Sequence, residues 1–554
     1  MSQGIPYELA LRAYEQADAA SLRDDALDVA ALLAAFHPDY GANAWVPLQV
    51  GANRGDSCQP DVARLLQSNA LIDDVDLAGA QLASTDVLVI GGGGAGCAAA
   101  LTAASKGAKV ILATKLRLGD SNTVMAEGGI QAAVGPDDTP QRHFEDSIKA
   151  GHYAADKKLV AQMVLDGPDV IRWLIQLGIA FDSANDKLLG GTLRRKRAGG
   201  ASAARVLSYR DFTGLEMMRV LREAVYLKPG IDTWNRCPVV ELLSDDYGAC
   251  AGAVIYNMEW RTCVLVRATA VILATGGCGR LHLNGFPTSN HYGATADGTV
   301  LAYRIGARLR EMDSFQYHPT GLAHPVHLAG SLISEAARSS GAKLINGRGE
   351  RFVDELRPRD IVAASILREC AEGRGVERDG QLGVFLDIPR LAAAKLGILE
   401  KDLVSVLHLG KKCGLDPAVA PFMVTPTLHY QNGGIVIDGN GVTDVPGLFC
   451  AGEISGGIHG RNRMMGNSLL DIFSFGRRAG AKAAEGAGRP LNGRSGLGHV
   501  YEWQRQLTAA GLPLDVKAPV LFPSYGNFDL RADADLGSPQ FAGQTRRTTG
   551  EIRP

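Results

Sequence analysis

Gly91, Gly93 and Gly96 stand in the spacing G-x-G-x-x-G, directly after the apolar run "DVLVI" and directly before the alanine-rich run "CAAALTAAS". The first glycine of such a set permits a tight turn, the second lets backbone approach a pyrophosphate, and the third lets helix pack on strand. The N-terminus of the following helix then offers unpaired N–H groups and a positive dipole to the phosphates. The chemistry indicated is dinucleotide binding. The next strand, "KVILATK", ends in Thr114–Lys115 where a carboxylate for a ribose hydroxyl is usual, so Thr114 has to serve that hydroxyl. Further along stand side chains able to carry a charge or give a hydrogen bond to a ligand. They are His318 in "HPTG", Ser334 and Glu335 in "SEAAR", His429 in "LHYQNGG" and Arg463 in "NRMMGNS". The planar guanidinium fork of Arg463 matches a carboxylate.

The elements that position these groups read as follows. Residues 1–84 show helical periodicity in "YELALRAYEQADAASLRDDALDVAALLAAF" and near "PDVARLLQSNALI", with a turn-rich stretch between. From Asp86 the pattern is strand, glycine loop, helix, strand. A helix-rich span follows to about Lys187, then a basic, glycine-bearing loop and short strands leading to "ATAVILATGG". Residues 281–420 are mixed α/β, "GLFCAGE" returns to apolar strand, and the chain after Gly488 is loop-rich and ends as a tail. A length of 554 residues implies several domains. With 46% hydrophobic and 21% charged residues and a net charge of -2, the chain has no bulk basic surface for nucleic acid. No apolar run is long enough to cross a bilayer, no secretory signal opens the chain, and nine dispersed cysteines without a CxxC support neither metal nor cluster. The expected setting is a reducing cytoplasm.

"VILATGG" (Val271–Gly277) and "VPGLFCAGE" (Val445–Glu453) are buried strands ending in small-residue turns. In this order after a glycine loop they favour a flavin over a nicotinamide. With "AEGGIQAAV", "ADG", "QYHPTG", "ISEAAR", "RPRDIV", "LHYQNGG" and "NRMMGNSLL", the stretch from about Asp86 to Gly488 resembles the flavoprotein subunits of fumarate reductase and succinate dehydrogenase, with L-aspartate oxidase a close relative. The resemblance implies an α/β fold: a two-lobed Rossmann-like FAD-binding domain (85–280 and 421–488) interrupted by a mobile α+β capping domain (281–420). Residues 1–84 are then a helical extension and 489–554 a tail, in place of the family's long helical C-terminal domain. Around FAD it places Gly91, Gly93, Gly94, Ala95, Gly96, Thr114, Lys115, Ser121, Asn122, Thr123, Gly128, Gly129, Val239, Ala274, Thr275, Gly276, Asp297, Glu453, Ser468 and Leu469.

The mechanism implied by the resemblance is hydride delivery from flavin N5 to one alkene carbon and a proton from Arg359 to the other. Glu335 and Arg338 reprotonate Arg359, while His318, His429 and Arg463 polarise a carboxylate and Ser334 keeps the hydroxyl that relatives supply as threonine. Asn432 puts a polar amide near flavin and substrate. The expected reaction is reduction of fumarate or a fumarate-like unsaturated dicarboxylate; L-aspartate oxidase and succinate or substituted-succinate dehydrogenase are the alternatives. Against the oxidase stands Ala198 in "KRAGGAS", where that enzyme carries a glutamate for the substrate ammonium; an ammonium buried unpaired is costly. A non-catalytic electron-transfer flavoprotein would not need Arg359, Glu335 and Arg338. The electron donor expected is a separate partner, most simply an iron–sulfur subunit, docked through residues 1–84 or the tail, and through it a peripheral attachment to a membrane. In "LGDSNTVMAEGG", Asn122 takes the place of the family's flavin-linked histidine, so FAD is expected to be noncovalent; a carboxamide is too poor a nucleophile for that bond.

Overall fold

The computed structural model describes residues 4–23, 28–41, 43–74, 77, 79–183, 192–490 and 493–523. The apolar run before the glycine loop becomes the strand Gln81–Ile90, the centre of the larger sheet. It lies parallel to Val110–Ala113 on one side and to Thr262–Leu273 on the other. Ile231–Trp234 extends the sheet beyond Val110–Ala113, and Leu448–Cys450 runs parallel to the end of Thr262–Leu273. Val87–Val89 and Val271–Leu273 are fully buried, which is why they read as continuous apolar runs rather than alternating ones. The register pairs Ile90 with Leu273 and Leu273 with Cys450. The glycine loop, the Ala274–Gly277 turn and the Ala451–Glu453 turn therefore emerge side by side at the carboxyl ends of parallel strands, where open α/β sheets bind ligands. The helix Gly94–Ser105 is alanine-rich because Asn467–Ala483 crosses it closely: a Cβ on Gly480 would lie 2.3 Å from the Ala99 carbonyl oxygen.

A second sheet pairs Phe315–Leu322, Phe422–Gln431, Gln381–Asp387 and Val376–Arg378 in that order, with Lys343–Ile345 also on Gln381–Asp387. The helix Arg359–Ala371 packs on it through Val362 and Ile366, in a separate core with Leu322, Val384, Leu386 and Phe422. Phe422–Gln431 carries this sheet past residue 420, where the sequence reading closed the second domain. Pro417 and Pro421 bracket a turn at that point, but the strand that follows still belongs to the second sheet, paired with Phe315–Leu322 and Gln381–Asp387.

The N-terminal residues cover both units. Ile5–Pro6 adds a parallel edge strand beside Val376–Glu377, and Ala10 and Tyr14 of Tyr7–Glu15 pack with Phe385 and Met423. Leu32 and Leu33 of Val29–Phe36 pack on Ile361 and Ala364. Asn53 then bonds the Leu309 backbone through both amide atoms, and Val62 and Leu66 enter the first core. Much of the apolar surface of this segment is thus taken up by the chain itself, while Leu9 and Trp45 stay exposed; the sequence reading offered this segment or the tail as the place where a partner docks. The expected loop-rich tail 489–554 is in part structured: Gly498–Ala509 is a helix that buries Val500, Trp503 and Leu507, and Lys517–Ala518 pairs with Asn69–Ala70, while residues 524–554 lie outside the described residues. Among the described residues no helix is long and apolar enough to cross a membrane.

Candidate active site

Gly91 has φ +118°, and a Cβ there would sit 2.2 Å from the Ala274 carbonyl oxygen; one on Gly96 would sit 1.8 Å from that of Gly91. Both glycines are therefore compelled by contact, the first by the neighbouring strand end and the last by the turn itself. The Thr123 hydroxyl accepts the Gly94 N–H at 3.1 Å, and Ser121 lies against Gly93. A cavity of about 720 Å³ begins at this loop and continues between the two domains. Every flavin-site residue expected from the sequence lines it except Gly96, and so do His318, Ser334, Glu335, Arg359, His429 and Arg463. Arg338 is buried behind Glu335 and lines nothing.

Lys115 does not project freely toward a phosphate. Its ammonium bonds Asp297 at 2.6 Å, the Thr295 hydroxyl and the Leu521 carbonyl, fastening residues 517–523 beside the cofactor end of the cavity. Asn122 is equally occupied. Its amide nitrogen donates to Asn290 (2.7 Å) and Glu453 (3.1 Å), and its oxygen accepts the His291 N–H (2.6 Å). One side chain thus ties three segments from different parts of the chain.

At the other end, Glu335 Oε2 accepts from Arg359 Nε at 2.8 Å and Arg338 Nη2 at 3.4 Å, while Oε1 accepts the Gly199 N–H at 3.0 Å. Burial opposes ionisation, yet the Arg359 and Arg338 charges hold this carboxyl down at about 2. Burial and then the Arg359 charge push Arg463 down to about 10, and the same two causes hold His318 well below the ordinary histidine range. His429 is lowered likewise by burial, Arg359 and Arg463, so both imidazoles are neutral near pH 7. The Thr320 N–H donates to His318 Nδ1 (3.3 Å), which leaves the proton on Nε2 as a donor.

Sequence reasoning missed Gln316. Its Oε1 accepts from Arg359 Nη1 (3.0 Å) and Arg463 Nη2 (2.9 Å), and its Nε2 donates to Asn462 Oδ1 (2.9 Å) and the Arg463 carbonyl (2.6 Å). Two buried guanidiniums meet on one amide oxygen whose orientation is fixed from behind. The signal was available: Gln316 and His318 are two apart on one strand and share a face. Because Gln316 acts through the arginines, Gln316→Leu is expected to lower kcat strongly in the wild-type background and little when Arg359→Lys is already present. Additive losses in that double-mutant cycle would refute the bracket. Asn432 corrects another expectation: it lies outside the cavity lining, bonding the Ser314 hydroxyl and the Arg461 carbonyl at 3.1 Å each. It holds the segment that carries Arg463. Glu127 was also missed as a site group; it lines the cavity, and burial and then Asp211 raise its carboxyl far above the usual range. Ala198 is buried among Ala150, Met464 and Met465, so no carboxylate stands there.

The FAD binding domain family model matches residues 86–469. The chain belongs to this family. One subunit of the fumarate reductase (CoM/CoB) from Methanothermobacter marburgensis is 39% identical over 418 residues, 74% of each chain. The L-aspartate oxidase of Streptomyces coelicolor is 37% identical over 414 residues, 72% of this chain and 68% of that one. Among solved structures, a mutant quinol fumarate reductase of E. coli aligns with a TM-score of 0.70 at 32% identity, over 78% of this chain and 74% of that one. The resemblance, the α/β fold and FAD as cofactor read from the sequence are borne out. The chain is an FAD-dependent oxidoreductase of the fumarate reductase and succinate dehydrogenase type. The loop fits that cofactor: the contacts at Gly91 and Gly96 leave a cradle that only glycine permits, at a helix N-terminus.

Proposed function

We propose that this flavoprotein reduces fumarate or a fumarate-like unsaturated dicarboxylate. The observation that carries the reading is the meeting of Arg359 and Arg463 on Gln316, with Glu335 and Arg338 continuing the hydrogen-bond path behind Arg359. FAD, held by the glycine loop and its neighbours, supplies the two electrons as hydride. Arg463 binds one substrate carboxylate, and the neutral His318 donates through Nε2 where charge gathers as the alkene is reduced. Arg359 gives its proton to the second alkene carbon. Glu335 is ionised at rest and takes up a proton only to pass it forward, so Arg359 is recharged through a path already formed. Guanidinium is a poor acid in isolation; the adjacent carboxylate and concerted transfer make it usable here.

The second reading, L-aspartate oxidase, has support from the relatives, but Ala198, packed with Ala150, Met464 and Met465, supplies no carboxylate of its own for an ammonium. A panel of unsaturated dicarboxylates with reduced viologen, and of L-aspartate and succinate with oxidising dyes, separates the readings. Faster oxidation of L-aspartate than reduction of any dicarboxylate would reject the proposal. For the electron source we infer an iron–sulfur partner subunit: the chain has no cysteine spacing for a cluster, and a relative bears the name of a subunit. The isolated chain should turn over with reduced viologen and negligibly with NADH. Robust NADH-driven activity would defeat that inference.

The saturated hydrogen bonds of Asn122 support a noncovalent flavin. In the family that this chain resembles, the covalent link raises the flavin potential, which succinate oxidation requires. Acid precipitation is therefore expected to release yellow flavin into the supernatant, and dye-coupled fumarate reduction to outpace succinate oxidation. Flavin retained in the pellet would contradict the first expectation, and faster succinate oxidation under matched conditions the second.

A further inference from the structure

His152 belongs to no motif and lies outside the cavity lining. It follows the helix Pro140–Ala150 in a turn where His152 and Tyr153 both have positive φ, 54° and 61°. Two successive residues with side chains in that region persist only where their surroundings hold them. This turn is held from two directions. From the segment that carries Arg463, the Arg461 N–H donates to the Gly151 carbonyl and the Asn462 amide to the Ala150 carbonyl, each at 3.1 Å. From the second domain comes Asp360, whose Oδ2 meets His152 Nε2 at 2.6 Å. Asp360 is buried in the first turn of Arg359–Ala371, next to Arg359, and its other oxygen has no partner. The turn thus touches both the backbone that carries Arg463 and the helix start that carries Arg359.

We propose that His152 is a positioning residue: its bond to Asp360 clamps the second domain onto this turn and so sets the spacing of Arg359 and Arg463. The proposal rests on both arginines contacting substrate. The charged groups around the pair are Arg461, itself bidentate to Asp313, and His37 and Tyr40 of the N-terminal segment. Asp360 raises the His152 pKa against burial and the Arg461 charge, while burial keeps His37 neutral down to about 4. The sign follows: the imidazolium–carboxylate bond is complete on the acid side of the ordinary histidine value and loses its charge as pH rises through the raised one. A neutral ring keeps a weaker bond.

The test uses the full FAD-loaded chain and its His152→Gln and His152→Ala variants. Two readouts are followed across pH: kcat for viologen-driven fumarate reduction, and amide hydrogen exchange in the first turn of Arg359–Ala371. The wild type is expected to lose kcat and exchange faster on the alkaline side of about 6.5. His152→Gln should show the alkaline behaviour at every pH, and His152→Ala a kcat roughly tenfold or more lower with FAD content unchanged. Asp360→Asn, which removes the charge from the other side, should match His152→Gln even if His152→Ala folds poorly. Wild-type pH profiles and exchange in both His152→Gln and Asp360→Asn would overturn the proposal. If the wild type reduces no dicarboxylate, the functional reading fails, and the exchange measurement alone still decides the clamp.

Discussion

Arg359→Lys is expected to lower kcat for dye-driven fumarate reduction by ~10²–10⁴-fold, the range for losing a positioned general acid, with FAD content unchanged. Arg359 reaches Glu335 through Nε and Gln316 through Nη1 from one rigid plane. An ammonium on a flexible stem keeps the charge but not that fork, so it cannot hold both partners and present a third N–H to the substrate. Glu335 then keeps only Gly199 and the longer bond to Arg338. FAD should be retained because the glycine loop, Asn122 and Glu453 do not depend on Arg359. The measurement is kcat beside bound-flavin absorbance in the same preparation. Near-wild-type turnover would remove Arg359 from the acid role, and loss of flavin would show that its part is structural.

The glycine loop was legible because its physics is local: strand, turn and helix are contiguous in sequence, Gly96 answers a contact within that unit and Gly91 one with the adjoining strand. The flavin-side residues followed because three parallel strands in matched register deliver their C-terminal turns to one edge. The relay was legible only through resemblance. Nothing in "ISEAAR" or "RPRDIV" announces that a helix start and a distant short helix will face each other across 2.8 Å. His152 was missed because its role is set wholly by tertiary approach to a carboxylate from another domain, whereas Gln316 was missed although its two-residue spacing from His318 already put both on one strand face. The N-terminal segment read correctly as helical, with Tyr7–Glu15, Val29–Phe36 and Pro60–Leu66. Amphipathic periodicity says that a face is buried and not against what, so its covering of both domains was not visible. The sequence reading ended the second domain at residue 420, beside the turn between Pro417 and Pro421, and nothing local to that turn announces that Phe422–Gln431 beyond it pairs in the second sheet.

Gly91→Ala is expected to yield a protein nearly free of FAD, while Gly107→Ala keeps its flavin. Both glycines have positive φ, +118° and +91°, at opposite ends of the helix Gly94–Ser105. A side chain at either pays the left-handed cost of roughly 1–2 kcal/mol. They differ in what a Cβ meets. At Gly107 nothing lies within 4 Å, whereas at Gly91 the Ala274 carbonyl oxygen stands at 2.2 Å, and backbone there cannot step aside without moving the end of Val271–Leu273. Relief of that contact drives the loop away from the neighbouring strand end, and with it the N–H groups that face the pyrophosphate. The comparison therefore separates backbone strain, common to both variants, from loss of the cradle, confined to one. Flavin content by absorbance and thermal midpoint with and without added FAD are the measurements. Added FAD should raise the midpoint of Gly107→Ala, because a ligand bound only to the native state stabilises it by mass action, and leave that of Gly91→Ala unmoved. Stoichiometric flavin in Gly91→Ala would show that the pyrophosphate lies elsewhere than at this loop.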